Sequence, residues 1–263
     1  MTMTITALIT GASSGIGAAY ADRLAARGYN LVLIARRADR LSALAGKLQH
    51  RYGVQVNTLI ADLSQTSGIA LVENILHEDA SIELLVNNAG AGDIKSFLKS
   101  TADQHEAINT LNITSLMRLT LAVLPRFVAQ NRGTIINIAS IVAFYTHAGN
   151  AVYSATKAWV VNFTRSLQEE FANSQIRIQA VLPAMTATEF WQRSGIGLDT
   201  LPDGAVMTSE DLVDAALVGL DHGELITLPP VEDLQLWKNL EEARMALFNA
   251  ARNAKPASRY TGV

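Results

Sequence analysis

The sequence predicts an α/β protein with one doubly wound parallel sheet of about seven strands and helices on both faces. Three observations support this fold class. Short apolar runs rich in β-branched residues alternate with segments of helical periodicity. The runs are apolar at consecutive positions, which is typical of parallel strands buried on both sides. No linker or repeat interrupts the alternation, so we expect a single domain over residues 1–263.

The first half of the chain contains four predicted strands, each of them a short apolar run. They are Thr4–Thr10, Leu31–Ala35, Val54–Ile60 and Ile82–Asn87. Three segments of helical periodicity separate them. They are Ala18–Arg27, Arg37–Tyr52 and Gly68–Asp79. Gly28 and Gly53 follow the first two of these helices, and glycine is the residue most often found just past a helix end.

The second half continues the alternation as far as Pro183 and then becomes less regular. A long predicted helix, Thr101–Ala129, contains Pro125, which is expected to kink or end it. The next elements are strand Thr134–Ile138, helix Ala151–Ala172 and strand Ile176–Leu182. A segment at about 184–207, rich in Gly, Thr and Asp, predicts a mobile flap. The last predicted elements are helix Ser209–Leu220, strand Leu225–Leu228 and a C-terminal helix at about 233–253.

Composition argues against several classes of protein. Apolar residues make up 49% and charged residues 17%, as in an ordinary globular domain. The net charge of −3 and the absence of a basic stripe argue against a nucleic-acid partner. There is no cysteine, and the five histidines have no metal-ligand spacing, so no metal site is predicted. The N-terminus does not resemble a signal peptide, and no uncharged apolar run approaches about 18 residues. We therefore expect a cytoplasmic protein with no membrane partner.

A glycine-rich turn, Gly11-Ala12-Ser13-Ser14-Gly15-Ile16-Gly17, connects the first strand to the first helix. Such a turn brings backbone N–H groups and the positive end of the helix dipole to an anion. Its spacing is G-x3-G-x-G, and it lacks the lysine that a nucleoside triphosphatase loop would have. We therefore expect the turn to hold the phosphates of a dinucleotide.

The residues after the second strand indicate which dinucleotide binds. An NAD-binding protein usually has an acidic residue there for the ribose 2′-hydroxyl, whereas this chain has Ala35 followed by Arg36 and Arg37. Guanidinium groups bind a 2′-phosphate bidentately. The sequence therefore predicts NADP(H) as the cofactor, with Arg36 as the main contact.

Tyr153 and Lys157 are four residues apart in a predicted helix, so they share one face. An ammonium about 4 Å from a phenol, at an effective dielectric of about 20, would lower the phenol pKa by at most about 3 units. That shift would make Tyr153 a proton donor near neutral pH. Ser140, on the loop before this helix, could donate to the same oxygen.

Five motifs in this order and spacing resemble the short-chain dehydrogenase/reductase family, over about Thr4–Thr188. They are T-G-A-S-S-G-I-G at Thr10–Gly17, Asp62-Leu63 after the third strand, N-N-A-G at Asn87–Gly90, Asn112 in L-N-I-T, and Ser140 thirteen residues before Y-S-A-T-K. The resemblance implies a Rossmann-type fold. It also implies hydride transfer between NADP(H) and a ketone or secondary alcohol.

The resemblance implies a catalytic tetrad of Asn112, Ser140, Tyr153 and Lys157. Tyr153 would be the general acid in reduction and the base in oxidation. Lys157 would lower its pKa and hold the nicotinamide ribose. Ser140 would orient the substrate oxygen, and Asn112 would support a water-linked proton relay. Further expected cofactor contacts are Gly11, Ser13, Ser14, Gly15, Ile16, Gly17, Arg36, Arg37, Asp62, Leu63, Asn88, Ala89, Gly90, Pro183 and Thr188.

One position departs from the family pattern. The family usually has Pro-Gly after the sixth strand, where this chain has Pro183-Ala184. The added methyl group is expected to narrow the nicotinamide pocket or to tilt the flap, which would cover the substrate.

The expected substrate contacts are mostly apolar. They are Ile141, Val142, Phe144, His147, Met185, Phe190 and Trp191, together with Ser140 and Tyr153. They favour a hydrophobic or neutral carbonyl compound as the small-molecule partner. The family also implies a homodimer or homotetramer. Two other functions stay open at this point: a catalytically silent NADP(H)-sensing regulator on the same fold, and a nucleotide-sugar epimerase or dehydratase. The epimerase would need a longer substrate region than the chain after Pro183 provides.

Overall fold

The computed structural model describes residues 5–194, 197, 201–202 and 204–261, without the side chain of Arg193. Two compact units are present, one ending at Pro229 and the other beginning at Pro230. The first unit contains the sheet and the helices around it. Parts of the predicted flap, at 195–196, 198–200 and 203, lie outside the described residues.

Seven strands form the sheet, and most of their residues are apolar. They are β1 Thr6–Thr10, β2 Asn30–Ala35, β3 Val56–Ile60, β4 Ile82–Asn87, β5 Gly133–Ile138, β6 Ile176–Val181 and β7 Ile226–Thr227. Their order across the sheet is β3-β2-β1-β4-β5-β6-β7, with every pairing parallel. The predicted fold class is therefore confirmed.

Eight α-helices belong to the part of the first unit that the structure describes. They are α1 Gly15–Ala26, α2 Ala38–Tyr52, α3 Thr66–Glu78, α4 Ala102–Asn109, α5 Ser115–Gln130, α6 Ala151–Glu170, α7 Glu189–Arg193 and α8 Ser209–Asp221. A π-helical turn, Thr110–Thr114, joins α4 to α5. Short 3-10 turns lie at Phe97–Lys99 and Ile141–Phe144.

Apolar side chains cover both faces of the sheet, because alternate strand residues point to opposite sides. On one face, Ala7 and Ile9 of β1 share a core with α1, α2 and α8. On the other face, Leu8 of β1 shares a core with α3 and α5. The strand order reverses between β1 and β4, which places a crevice at their carboxyl ends. Such a crevice is where open α/β sheets bind ligands.

Pro125, which was expected to kink or end the long helix, does not end it. The helix α5 continues through Pro125 to Gln130. Val123, Leu124 and Phe127, on either side of the proline, are buried, and their packing compensates for the missing N–H donor. The combined helical stretch Ala102–Gln130 is long and apolar enough to cross a bilayer by length and composition. Half of its most apolar window is buried inside the protein, as in the core helix of a globular domain.

The second unit consists of a helix, α9 Gln235–Ala251, followed by a 3-10 turn at Ser258–Tyr260. The predicted C-terminal helix at about 233–253 therefore lies in this unit. Several apolar side chains of α9 are exposed, among them Leu236, Leu247 and Phe248.

Candidate active site

Hydrogen bonds connect the start of the glycine-rich turn after β1 to the turn after β4. The Thr10 hydroxyl accepts hydrogen bonds from the backbone N–H groups of Asn88 and Ala89, at 2.9 and 3.0 Å. In return, Asn88 Nδ2 donates to the carbonyl oxygen of Thr10 at 2.9 Å. A Cβ atom at Gly17 would lie 2.5 Å from Asn88 Nδ2 and 2.5 Å from the carbonyl oxygen of Gly11. The two turns pack this closely because Gly11 and Gly17 have no side chains.

Arg37 lies over the two serines of the glycine-rich turn. Its Nε and Nη2 atoms donate to Ser13 Oγ at 3.1 and 2.9 Å, and Nη2 also donates to Ser14 Oγ at 2.7 Å. On the other side of the guanidinium, Nη1 donates to the Glu189 carboxylate at 2.6 Å. Arg40 forms a second, short ion pair with the same carboxylate.

Arg36 occupies a more open position than Arg37. Its side chain is 61% exposed, and Nη1 lies 3.7 Å from the Asp62 carboxylate at the end of β3. Asp62 also accepts hydrogen bonds from the backbone N–H and the hydroxyl of Ser64, at 3.0 and 2.7 Å. Although burial opposes the shift, these hydrogen bonds hold the pKa of Asp62 below its usual value. The next residue, Leu63, is buried in the core. Arg37 therefore lies on the glycine-rich turn, whereas Arg36 lies beside Asp62 at the end of β3.

Tyr153, Lys157 and Ser140 meet at the carboxyl ends of β5 and β6. Tyr153 and Lys157 lie one turn apart on α6, and Lys157 Nζ is 5.7 Å from the centroid of the Tyr153 ring. The ammonium donates to the carbonyl oxygen of Ile138 at 2.8 Å. Ser140 Oγ donates to the carbonyl oxygen of Pro183 at 3.2 Å and also forms a hydrogen bond with the Tyr153 side chain. The structure therefore brings together three of the four predicted catalytic side chains.

Burial shifts the pKa values of Tyr153 and Lys157, and the pKa of Tyr153 moves opposite to the direction predicted from the sequence. It raises the pKa of Tyr153 to about 12, with the Ser140 hydrogen bond acting in the opposite sense. It also lowers the pKa of Lys157 to about 8. Both shifts have the same cause, because a low-dielectric site disfavours the charged form of each group. The expectation that Lys157 lowers the phenol pKa to near neutrality is therefore wrong.

Asn112 lies in the π-helical turn, and its side chain is buried. Its Oδ1 accepts from the backbone N–H of Ala91 at 2.9 Å, and its Nδ2 donates to the carbonyl oxygen of Ala91 at 2.8 Å. The second Nδ2 hydrogen goes to Thr156 Oγ1 at 2.9 Å. Asn112 thus ties the loop after β4 to α6, one residue before Lys157.

The remaining predicted cofactor residues line the crevice between these groups. A Cβ atom at Gly90 would lie 3.4 Å from Asn112 Oδ1 and 3.5 Å from Lys157 Nζ, so Gly90 faces the space between the two. A Cβ atom at Gly15 would lie 2.9 Å from Thr188 Cγ2, which places Thr188 against the glycine-rich turn. Pro183 follows β6 directly and accepts hydrogen bonds from Ser140 Oγ and from the backbone N–H of Ile141. Ala184 is exposed, and its carbonyl oxygen accepts from the Thr186 hydroxyl at 3.3 Å.

Aromatic side chains of α7 pack beside Tyr153. The rings of Phe190 and Tyr153 have centroids 5.3 Å apart, and Trp191 packs edge-on against Phe190. The Trp191 indole N–H donates to the carbonyl oxygen of Thr186 at 2.9 Å. A Cβ atom at Gly92 would meet both the Phe190 and the Tyr153 rings within 2.9 Å. This helix therefore forms one wall beside the Tyr153 ring.

Two of the predicted substrate residues lie on the loop between β5 and α6. Val142 is half-buried in the 3-10 turn, and its backbone N–H donates to Ser140 Oγ at 3.4 Å. His147 is exposed, and its ring nitrogens contact the carbonyl oxygen of Ala148 and the side-chain amide of Asn150.

Several residues that organise the site were assigned no role from the sequence. Asn87 donates to Asn137 Oδ1 at 2.9 Å, and Asn137 donates to Thr164 Oγ1 at 2.9 Å, which forms a buried polar chain across β4, β5 and α6. Two asparagines near the ends of otherwise apolar strands were the available signal. Gly92 and Glu189 were also missed, and no local pattern distinguishes them from ordinary loop residues.

Known proteins resemble this chain in sequence and in fold. The sequence profile of the family described as short chain dehydrogenase matches residues 5–197. A short-chain dehydrogenase from Sphingobium yanoikuyae, solved with NADPH, is 49% identical, with a TM-score of 0.94 over 97% of this chain and 99% of that chain. A bulky-bulky ketone specific alcohol dehydrogenase from Comamonas testosteroni is 42% identical, with a TM-score of 0.91 over 99% of this chain and 100% of that chain.

The similarity extends to a more distant eukaryotic protein. The NADP-dependent 3-hydroxy acid dehydrogenase of Schizosaccharomyces pombe is 34% identical over 231 residues, which cover 85% of this chain and 89% of that protein. A profile match over most of the chain, together with relatives aligned over nearly their whole length, establishes the family. The chain belongs to the short chain dehydrogenase family.

Proposed function

We propose that this protein is an NADP(H)-dependent oxidoreductase that reduces a ketone to a secondary alcohol or catalyses the reverse reaction. The observation that carries the proposal is the buried group of Ser140, Tyr153 and Lys157 in the crevice that opens onto the glycine-rich turn. Two hydroxyl donors side by side at the end of a sheet suit a substrate oxygen that gains negative charge during reduction.

Each member of the group has a distinct role in this proposal. Ser140 and Tyr153 donate hydrogen bonds to the carbonyl oxygen and hold it in place. A phenol with a pKa of about 12 keeps its proton at neutral pH, so Tyr153 is the general acid in the direction of reduction. Lys157 supplies positive charge beside the phenol and holds the ribose next to the nicotinamide. Asn112 is a positioning residue, because its side chain fixes the loop after β4 against α6.

The crevice has the features that a dinucleotide phosphate requires. Gly11 and Gly15 have φ values of +67° and +54°, a left-handed backbone conformation that glycine tolerates best. Ser14 caps α1 without a side-chain hydrogen bond, so the first N–H groups of this helix suit an anion. Arg37 adds a guanidinium group directly above the turn. When bound, NADP(H) supplies or accepts the hydride at its nicotinamide.

The wall beside Tyr153 favours a hydrophobic carbonyl substrate. The Phe190 ring lies beside Tyr153, Trp191 packs edge-on against Phe190, and Val142 is half-buried on the neighbouring loop. Apolar and aromatic walls with a few polar groups at the reacting centre are typical of sites for apolar ligands. The similarity to the ketone-specific enzyme of Comamonas testosteroni supports a ketone with large groups on both sides of the carbonyl.

A tyrosine substitution tests the catalytic part of the proposal. Tyr153→Phe removes only the hydroxyl group, and Tyr145→Phe removes the same group from an exposed loop tyrosine. We expect Tyr153→Phe to lose at least about a hundredfold in turnover, the size of a typical general-acid contribution. Its NADPH dissociation constant should stay within about threefold of the wild-type value. NADPH oxidation with ketones of graded size measures turnover. Equal turnover of wild type and Tyr153→Phe on every ketone would contradict the assignment.

We also propose that the protein forms a homodimer or homotetramer through α5 and α6. Leu121 on α5 is 66% exposed, and Met117 and Val128 on the same helix are exposed as well. On α6, Trp159 and Phe163 stack with ring centroids 4.7 Å apart. Contiguous apolar surface of this kind is typical of subunit contacts. Light scattering that gives the mass of one 28.3 kDa chain at micromolar concentration would refute the assembly.

A further inference from the structure

A carboxylate of the chain itself lies on the guanidinium groups beside the glycine-rich turn. Glu189 is the first residue of α7, and its two oxygens contact Arg37 and Arg40. The remaining hydrogen bonds of Arg37 go to Ser13 and Ser14. A negative charge therefore already occupies the arginine that lies closest to the phosphate-binding turn.

We propose that Glu189 competes with the 2′-phosphate of NADP(H) for Arg37 and Arg40, and so determines cofactor affinity and selectivity. The inference rests on the proposed function, because it requires that the crevice binds this cofactor. It deepens that function by assigning a role to a residue outside the catalytic group.

The arrangement favours competition over shared binding. Nη1 of Arg37 donates to Glu189, while Nε and Nη2 face the serine hydroxyls. A phosphate on the serine side would place a second anion on the same guanidinium, a few ångströms from the carboxylate. Like charges at that separation repel each other, and the interaction is screened only in part inside a crevice. The 2′-phosphate must therefore displace the Glu189 carboxylate before it can bind the whole Arg37 guanidinium.

Replacement of the Glu189 carboxylate on the arginines requires a competing anion and does not depend on protonation of Glu189. Hydrogen bonds from Arg40 and Arg37 lower the pKa of the Glu189 carboxyl to about 2. The carboxylate consequently stays ionised throughout the neutral range. Only another anion with comparable geometry can release the arginines, and a phosphate is such an anion.

The position of Glu189 links the exchange to the rest of the crevice. The preceding residue, Thr188, lies against Gly15 of the glycine-rich turn. Residues 188 and 189 therefore both contact the glycine-rich turn or the arginine that lies on it. NADH has no 2′-phosphate that could compete with Glu189 for the arginines. Its affinity should therefore be almost independent of residue 189.

Calorimetric titration of the full chain tests the inference, with NADPH, NADH and adenosine 2′,5′-bisphosphate as probes. Glu189→Gln removes the negative charge and keeps the side-chain size. Glu78→Gln makes the same change on the exposed C-terminal turn of α3, far along the chain from the arginines. We expect Glu189→Gln to bind NADPH and the bisphosphate about tenfold more tightly than wild type does, equivalent to about 1.4 kcal/mol. NADH affinity should change by less than about twofold, and Glu78→Gln should match wild type with all three probes.

Each other outcome would overturn the inference. Unchanged NADPH affinity would show that the ion pairs do not compete with the phosphate, and weaker affinity would show that Glu189 orients Arg37 for binding. Equal tightening of NADPH and NADH would indicate a general loosening of α7. In these three cases wild type still binds NADPH, so the proposed function stands. Wild-type protein that binds neither NADPH nor the bisphosphate would refute the proposed function and this inference together.

Discussion

Replacement of Gly17 by alanine is expected to destabilise the protein, although alanine is the better helix former. A Cβ atom there would lie 2.5 Å from Asn88 Nδ2, 2.5 Å from the carbonyl oxygen of Gly11 and 2.9 Å from the carbonyl carbon of Gly11. Overpacking of this kind costs about 1–3 kcal/mol. Displacement of Asn88 would also weaken its hydrogen bond to Thr10, which is worth about 1 kcal/mol. The helical preference of alanine offsets about 1 kcal/mol. The net loss is therefore about 1–3 kcal/mol.

Thermal unfolding followed by circular dichroism measures the effect. A loss of about 1–3 kcal/mol corresponds to a fall in Tm of about 2–12 °C for a domain of this size. Gly46→Ala is the matched control, because a Cβ atom at Gly46, in the exposed middle of α2, would meet nothing within 4 Å. That variant should gain up to about 1 kcal/mol from helical preference. If Gly17→Ala melts within 1 °C of wild type, or above Gly46→Ala, the close contact between the two turns does not have the energetic role assigned here.

Two further predictions concern the charged groups of the site. The depressed pKa of Lys157, about 8 in the folded protein against 10.5 for the free group, penalises folding most below pH 8. Between about pH 8 and 10.5 the unfolded chain binds more protons at this residue than the folded chain does. The free energy of unfolding of wild type should therefore rise by up to about 3 kcal/mol relative to that of Lys157→Met over this range. If chemical denaturation gives the same difference between the two proteins at every pH, Lys157 is not a buried, partly neutral lysine. Arg37→Gln should weaken NADPH binding about tenfold or more and leave NADH binding nearly unchanged, whereas Arg36→Gln should have the smaller effect because that side chain is more exposed. Titration of both variants with both cofactors measures this, and the reverse ranking would restore Arg36 as the main contact.

Most of the fold could be predicted from local sequence patterns. Apolar runs located all seven strands, since strands of a parallel sheet are typically apolar at consecutive positions. The motifs Thr10–Gly17 and Tyr153–Lys157 identified the crevice because their chemistry depends on short spacings. Whether the helix ends at Pro125 depends on tertiary packing, which the local sequence does not reveal, and Val123 and Phe127 supply that packing from within the core.

Features that depend on distant segments could not be predicted in this way. The Glu189 carboxylate meets Arg37 across a separation of 152 residues. The choice between Arg36 and Arg37 likewise depends on the direction in which the chain turns after β2. The pKa of Tyr153 was misjudged for the same reason, since a local pattern reveals the neighbouring Lys157 but not how deeply the phenol is buried.

The π-helical turn at Thr110–Thr114 has a consequence for how this protein tolerates changes in length. A π turn contains one residue more than an ordinary helical turn. Deletion of one residue there would restore a regular helix with little rotation of α4 relative to α5, but it would change which side chains face the loop after β4 and α6. Asn112 would then lose its bonds to Ala91 and Thr156, so sequence alignment in this region must keep the extra residue to keep the site in register.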